Sequence, residues 1–165
     1  MTRWFRLLLK LIKFDQFKCR ELTAGEIQLC LNVFGNLIDY SKVRIMNHPY
    51  LPWQPISTLM APEGYIHVRN KHFREDYALE DLRYQGVFIH EMTHILQYQQ
   101  GQNVLLKGAI LQSAYFLSGQ RYDPYQYRFD IQKRFADYNI EQQGDIARDI
   151  FFKKIPNIIL NQSKN

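Results

Sequence analysis

The chain has 165 residues, 46% of them hydrophobic and 22% charged, which suits one domain with its own core and excludes a disordered polyampholyte. The formal net charge of +5 resides in residues 1–20, where Arg3, Arg6, Lys10, Lys13, Lys18 and Arg20 face Asp15 alone; residues 21–165 carry fifteen basic and fifteen acidic side chains. A neutral body argues against a nucleic-acid footprint, two cysteines are too few for a disulfide scaffold, and no run of about 18 apolar residues writes a transmembrane helix.

Residues 1–20 read as a basic amphipathic helix, with Arg3, Arg6, Lys10 and Lys13 on one side and Trp4, Leu7, Leu8, Leu11 and Ile12 on the other. Such a helix either docks its apolar face on the core or makes peripheral contact with an anionic membrane. Lys10 and Lys13 interrupt the apolar run and no small-residue cleavage site follows before Lys18. The expectation is therefore cytoplasmic synthesis without a cleavable signal peptide, with any export through a specialised secretion system.

The main domain is expected over 21–155. Thr23 and Glu26 have capping-box spacing, and Ile27, Leu31, Val33, Phe34 and Leu37 continue a helix. Residues 42–47 alternate as a strand. Residues 57–61 and 65–69, separated by Ala61-Pro62-Glu63-Gly64, predict a hairpin whose edge is able to pair with an extended peptide. Residues 70–83 read as a polar loop, 82–100 as a helix stopped by Gly101, and 104–117 as a second helix ended by Gly119. An aromatic loop covers 120–127, and one or two last helices cover 129–153 before Pro156 opens a tail over 156–165. The fold class that follows is α+β, with a small antiparallel or mixed sheet packed on helices.

His90-Glu91-Met92-Thr93-His94 forms an H-E-x-x-H motif. Histidines at i and i+4 share one helical face, close enough to grip one Zn²⁺ ion, while Glu91 is rotated by about 100° and serves better as a general base on a zinc-activated water. With five His and seven Glu in the chain, about 0.006 chance matches are expected. The flanking Val87, Phe88, Ile89, Ile95 and Leu96 are apolar, as a helix that buries one side requires. A catalytic zinc needs a third protein ligand. Gln97 and Gln100 stand where the metzincin extension has Gly and His, so that arrangement is excluded. Glu141 and Asp145, at i and i+4 in a later helical stretch, supply the alternatives: Glu141 as ligand with Asp145 receiving the outer N–H of a zinc histidine, expected to be His90, or Asp145 as the ligand itself. Tyr138, one turn before Glu141, or else Tyr127, would stabilise the developing oxyanion. His48, His67 and His72 read as structural or solvated.

The segments LTAGEIQLCLNVFGNLIDYSKVRI, MAPEGYIHV, FIHEMTHILQYQQG and YNIEQQGDIARDIF, in that order over residues 22–152, resemble the bacterial Vgr-related zincin-like proteins, a metallopeptidase group associated with type VI secretion and similar toxin-delivery clusters. The resemblance implies a zincin-like fold and metal-dependent hydrolysis, with His90, Glu91, His94 and Glu141 as the corresponding site residues. The expected function is a zinc metallopeptidase of gluzincin type acting on a peptide, a protein or a peptidoglycan cross-link. The alternative is an inactive zincin-fold adaptor of a toxin-delivery system, with the secretion machinery as its partner.

Overall fold

The computed structural model describes residues 17–56 and 58–161. The leader helix expected over residues 1–20 lies outside them up to residue 16, but its expected last turn does not form, since Cys19–Arg20 pairs as a strand; the tail past Asn161 lies outside them too. The elements run β1 (Cys19–Arg20), α1 (Ala24–Phe34), β2 (Arg44–Met46), β3 (Tyr65–His67), α2 (Leu82–Gln99), α3 (Val104–Leu117), α4 (Ile140–Phe151) and α5 (Ile158–Asn161), with short 3₁₀ turns between them. The architecture is α+β, several helices with a three-stranded mixed sheet.

Helix α1 starts where its capping box dictates. Thr23 Oγ1 accepts from the Glu26 amide, and the Glu26 carboxylate accepts from the Thr23 amide. Glu26 is also the bolt between elements. It is fully buried, takes two hydrogen bonds from the Arg20 guanidinium at 2.7 and 2.8 Å, and accepts the Tyr77 amide at 2.8 Å. A buried carboxylate is tolerable only with every lone pair engaged, and here β1, α1 and the segment before α2 converge to do so.

The sheet order is β1-β2-β3. β1 pairs with β2 antiparallel, Cys19 opposite Met46, and β2 pairs with β3 in parallel, Ile45 opposite Ile66. The predicted hairpin over 57–69 is thus only partly formed. Its turn exists, with Gly64 at φ 85°, but a single antiparallel bridge joins Met60 to His67. β3 takes its ladder partner from β2 instead, so at His67 both of its edges are occupied.

α2 runs through the centre. Phe88, Ile89, Met92, Ile95 and Leu96 are buried on it against Val33 and Phe34 of α1, Ile45 and Ile66 of the sheet, and Ile146, Ala147 and Ile150 of α4. The last long helix is shorter than its periodicity suggests. Asp130 accepts the Gln132 amide, Asp137 accepts the Arg134 amide, and Asn139 caps the amides of Glu141 and Gln142, so residues 129–139 turn and α4 begins at Ile140. The chain beyond Pro156 is not a simple tail either. Asn157 donates to the Val33 carbonyl, and Ile158 and Ile159 of α5 are buried in the core. Among the described residues no helix is long and apolar enough to cross a membrane.

Candidate metal centre

Asp81 starts α2 by accepting the Tyr84 amide, and the helix then runs without a break to Gln99. That continuity places His90 and His94 one turn apart, ring centroids 5.0 Å apart and ring planes at 75°. α4 packs against this turn and brings Glu141 into it. Glu141 Oε2 lies 3.4 Å from His90 Nε2 and 3.7 Å from His94 Nε2. Among the described residues His90, His94 and Glu141 form a group whose ligand atoms all lie within 4.8 Å of one another and can hold a metal ion.

The outer nitrogen of each histidine is fixed. His90 Nδ1 lies 3.0 Å from Asp145 Oδ1, which Arg148 also engages at 2.9 Å. Asp145 therefore faces the outer nitrogen of His90 while Glu141 faces the inner nitrogens of both rings. His94 Nδ1 donates to Gln97 Oε1 at 2.9 Å. Gln97 is fully buried, and its amide nitrogen donates to the Ile140 carbonyl at 3.1 Å and to Gln143 Oε1 at 2.8 Å, which leaves its oxygen as the acceptor for His94. Gln143 in turn donates to the Tyr138 carbonyl at 2.8 Å. Both inner nitrogens are thus turned toward the same point. Sequence reasoning noticed Gln97 only as a residue that breaks another pattern. Its position three residues after His94, on the same helical face, was the signal that could have identified it.

Close helix contact at this point depends on Gly144. A Cβ added there would stand 2.5–2.7 Å from three atoms of the His90 ring, a distance no ordinary packing accommodates. The missing side chain lets the ring lie directly on the α4 backbone.

Glu91 is 7% exposed, and its Oε2 is buried with no hydrogen-bond partner among the described residues. Burial raises its carboxyl pKa; the two histidines oppose that and Glu141 reinforces it. For Glu141 burial acts in the same upward direction, but the His90 and His94 rings beside it outweigh that and hold the carboxyl well below the usual range. His90 is the counterpart. Burial resists its charge, yet Asp145 and Glu141 prevail and push its pKa up to about 10.

The tyrosines divide differently from the sequence expectation. Tyr138 belongs to the core, and its hydroxyl accepts the Asp130 amide at 3.0 Å and lies 3.4 Å from the Arg128 carbonyl. Tyr127 donates to Asp149. The tyrosine at the cluster is Tyr125, from the loop after α3: its ring centroid is 6.4 Å from that of His90, the Glu141 carboxylate is near enough to act on its hydroxyl, and 43% of the residue remains exposed. Burial and then the Glu141 charge raise its pKa. His67 lies by the His48 carbonyl and His72 by the Tyr84 hydroxyl, so neither belongs to the cluster.

The donor set fits zinc: two imidazole nitrogens and one carboxylate oxygen make the three-ligand pattern of a catalytic site. Tetrahedral ligands at about 2.1 Å from such an ion stand about 3.4 Å apart, close to the separations between Glu141 and the two rings.

No family model matches the chain. Over 137 residues, 82% of its length, it is 51% identical to the type VI secretion system spike protein VgrG2b of Pseudomonas aeruginosa, of which the match spans 13%. The solved effector domain of Pseudomonas aeruginosa VgrG2b aligns with a TM-score of 0.75 at 48% identity, covering 86% of this chain and 78% of that one.

Proposed function

The chain belongs to the family of the VgrG2b effector domain, and from that premise we propose that it is a type VI secretion effector that hydrolyses peptide bonds with a zinc ion held by His90, His94 and Glu141. The observation that carries the reading is one focus shared by three ligand atoms, with the buried Glu91 Oε2, which has no hydrogen-bond partner among the described residues, on the same helical turn. The pairing of an H-E-x-x-H helix with a glutamate from a later helix supports a zincin-like architecture of gluzincin type.

When bound, zinc would supply Lewis-acid polarisation of the scissile carbonyl and acidify a water molecule. The protein's own groups do the rest. His90 and His94 present neutral Nε2 atoms because Asp145 and Gln97 hold their Nδ1–H bonds. Glu91 takes a proton from the attacking water as the new C–O bond forms. It then passes that proton to the nitrogen of the leaving amine as the C–N bond breaks, giving a carboxylic acid, which keeps the water's second proton, and an amine. Burial raises its carboxyl pKa, which makes it a stronger base than an ordinary carboxylate. Tyr125, whose ring stands by that of His90, would donate from its hydroxyl to the carbonyl oxygen as negative charge builds there. The substrate class is a peptide bond in a protein or in a peptidoglycan cross-link.

Glu91→Gln tests the assignment. The variant should keep stoichiometric zinc, read by atomic absorption, while hydrolysis across a panel of peptide and cell-wall substrates falls by roughly two to three orders of magnitude. Full activity in the variant, or activity that survives a strong chelator, would refute it.

A further inference from the structure

We propose that helix α3 and the loop after it form a docking surface for an anionic lipid bilayer. The helix touches the body along Val104, Gly108, Leu111 and Tyr115, and of its fourteen residues only Val104 is buried. Its opposite side ought then to be polar. It carries instead Leu106, Ile110, Phe116 and Leu117, exposed at 55%, 58%, 62% and 89%. The helix has one charged residue, Lys107, and residues 92–122 contain no Asp or Glu at all. An apolar surface of this kind on a helix belongs in contact with something.

Charge identifies the partner. Residues 104–137 hold five basic and three acidic side chains, on a body that is otherwise slightly acidic. Arg134 and Asp137 pair with each other at 2.8 Å, whereas Arg121, Arg128 and Lys133 are exposed, as are Tyr122 and Ile131, neighbours of theirs in sequence. Apolar side chains on a helix, flanked by arginine, lysine and tyrosine, match acyl chains beneath anionic headgroups: the apolar face enters the boundary layer and the bases meet the phosphates. A second copy of the chain would bring like charges together. Fourteen residues make a helix about 21 Å long, shorter than a hydrocarbon core of about 30 Å, so α3 would lie along the interface and not cross it. The surface adjoins the metal cluster, since a Cβ on Gly108 would stand 4.0 Å from Glu141 Oε1. Docking would hold that cluster close to the bilayer, whether or not it cleaves peptides.

Co-sedimentation of the full chain with phosphatidylcholine vesicles, with and without added phosphatidylglycerol, tests this. Binding should be roughly tenfold stronger to the anionic vesicles and fall in high salt. The triple variant Leu106→Ser, Ile110→Ser and Leu117→Ser should lose roughly tenfold or more in binding with an unchanged circular dichroism spectrum, because all three side chains are exposed. Glu91→Gln should bind as the parent does, which separates this claim from the peptidase reading. Absence of vesicle binding overturns the proposal, as does equal binding to neutral vesicles. So does full binding by the triple variant, which would move the contact elsewhere, residues 1–20 included. A dimer that the triple variant dissociates, without vesicle binding by the parent, would make a second copy the occupant.

Discussion

Gly144 and His90 meet at a distance that admits no methyl group. The ring cannot swing aside without breaking its bond to Asp145, so Gly144→Ala should misdirect Nε2. Zinc affinity is expected to fall roughly 10–100-fold in a folded protein, read by competition with a chromophoric chelator, and unchanged affinity would show that the ring has another place to go. The same residues set the pH behaviour of the metal-free protein. The Glu141 pKa is lowered on folding, so its contribution is present above the ordinary carboxylate value and lost as pH falls toward its folded value. That of His90 is raised to about 10, so its contribution is complete below the ordinary imidazole value and lost as pH rises through about 10. The raised carboxyl of Glu91 acts in the same direction as His90. Thermal melts of the metal-free protein should therefore show greatest stability in the mildly acidic range, about pH 4.3–6.5, with a decline on the alkaline side. A stability that climbs from pH 6.5 to 9 would contradict these assignments.

At the scale of elements, the buried Arg20–Glu26 pair joins β1, α1 and the segment before α2. Glu26→Ala strips the Arg20 guanidinium and the Tyr77 amide of their acceptor, and should cost about 3 kcal/mol in denaturant unfolding. The zinc affinity of the folded variant should stay as it was, since Glu26 does not touch the cluster. A cost below about 1 kcal/mol would mean that water replaces the carboxylate freely. The cap that Glu26 completes was legible from Thr23 and Glu26 alone, because a capping box is a local device. The span of α2 was legible for the same kind of reason, from its apolar periodicity and from Gly101 just beyond its end. The sheet was not. Strands of two or three residues carry too little alternation to announce a partner, and the parallel pairing of β2 with β3 depends on contacts remote in sequence. The start of α4 was hidden because apolar residues between 129 and 137 mimic helical spacing, while Asp130, Asp137 and Asn139 claim the amides that a helix would need. Tyr125 was missed because adjacency to Glu141 in sequence favoured Tyr138, whereas the path of the loop after α3 decides which hydroxyl reaches the cluster.

For the whole molecule, the arrangement is a central helix with two imidazoles on one turn, a later helix that delivers the carboxylate, and a core of apolar side chains that keeps both in register. His90 and His94 were visible as a pair in the sequence; that Glu141 and not Asp145 faces both inner nitrogens depends on how α4 seats against α2, which only the fold displays. The central claim is that one zinc ion sits where these three side chains converge. Anomalous scattering at the zinc edge from crystals of the purified protein tests it most directly. One peak is expected within about 2.0–2.2 Å of His90 Nε2, His94 Nε2 and a Glu141 carboxylate oxygen. A zinc-loaded crystal with no peak there, or with its peak on other residues, would contradict it.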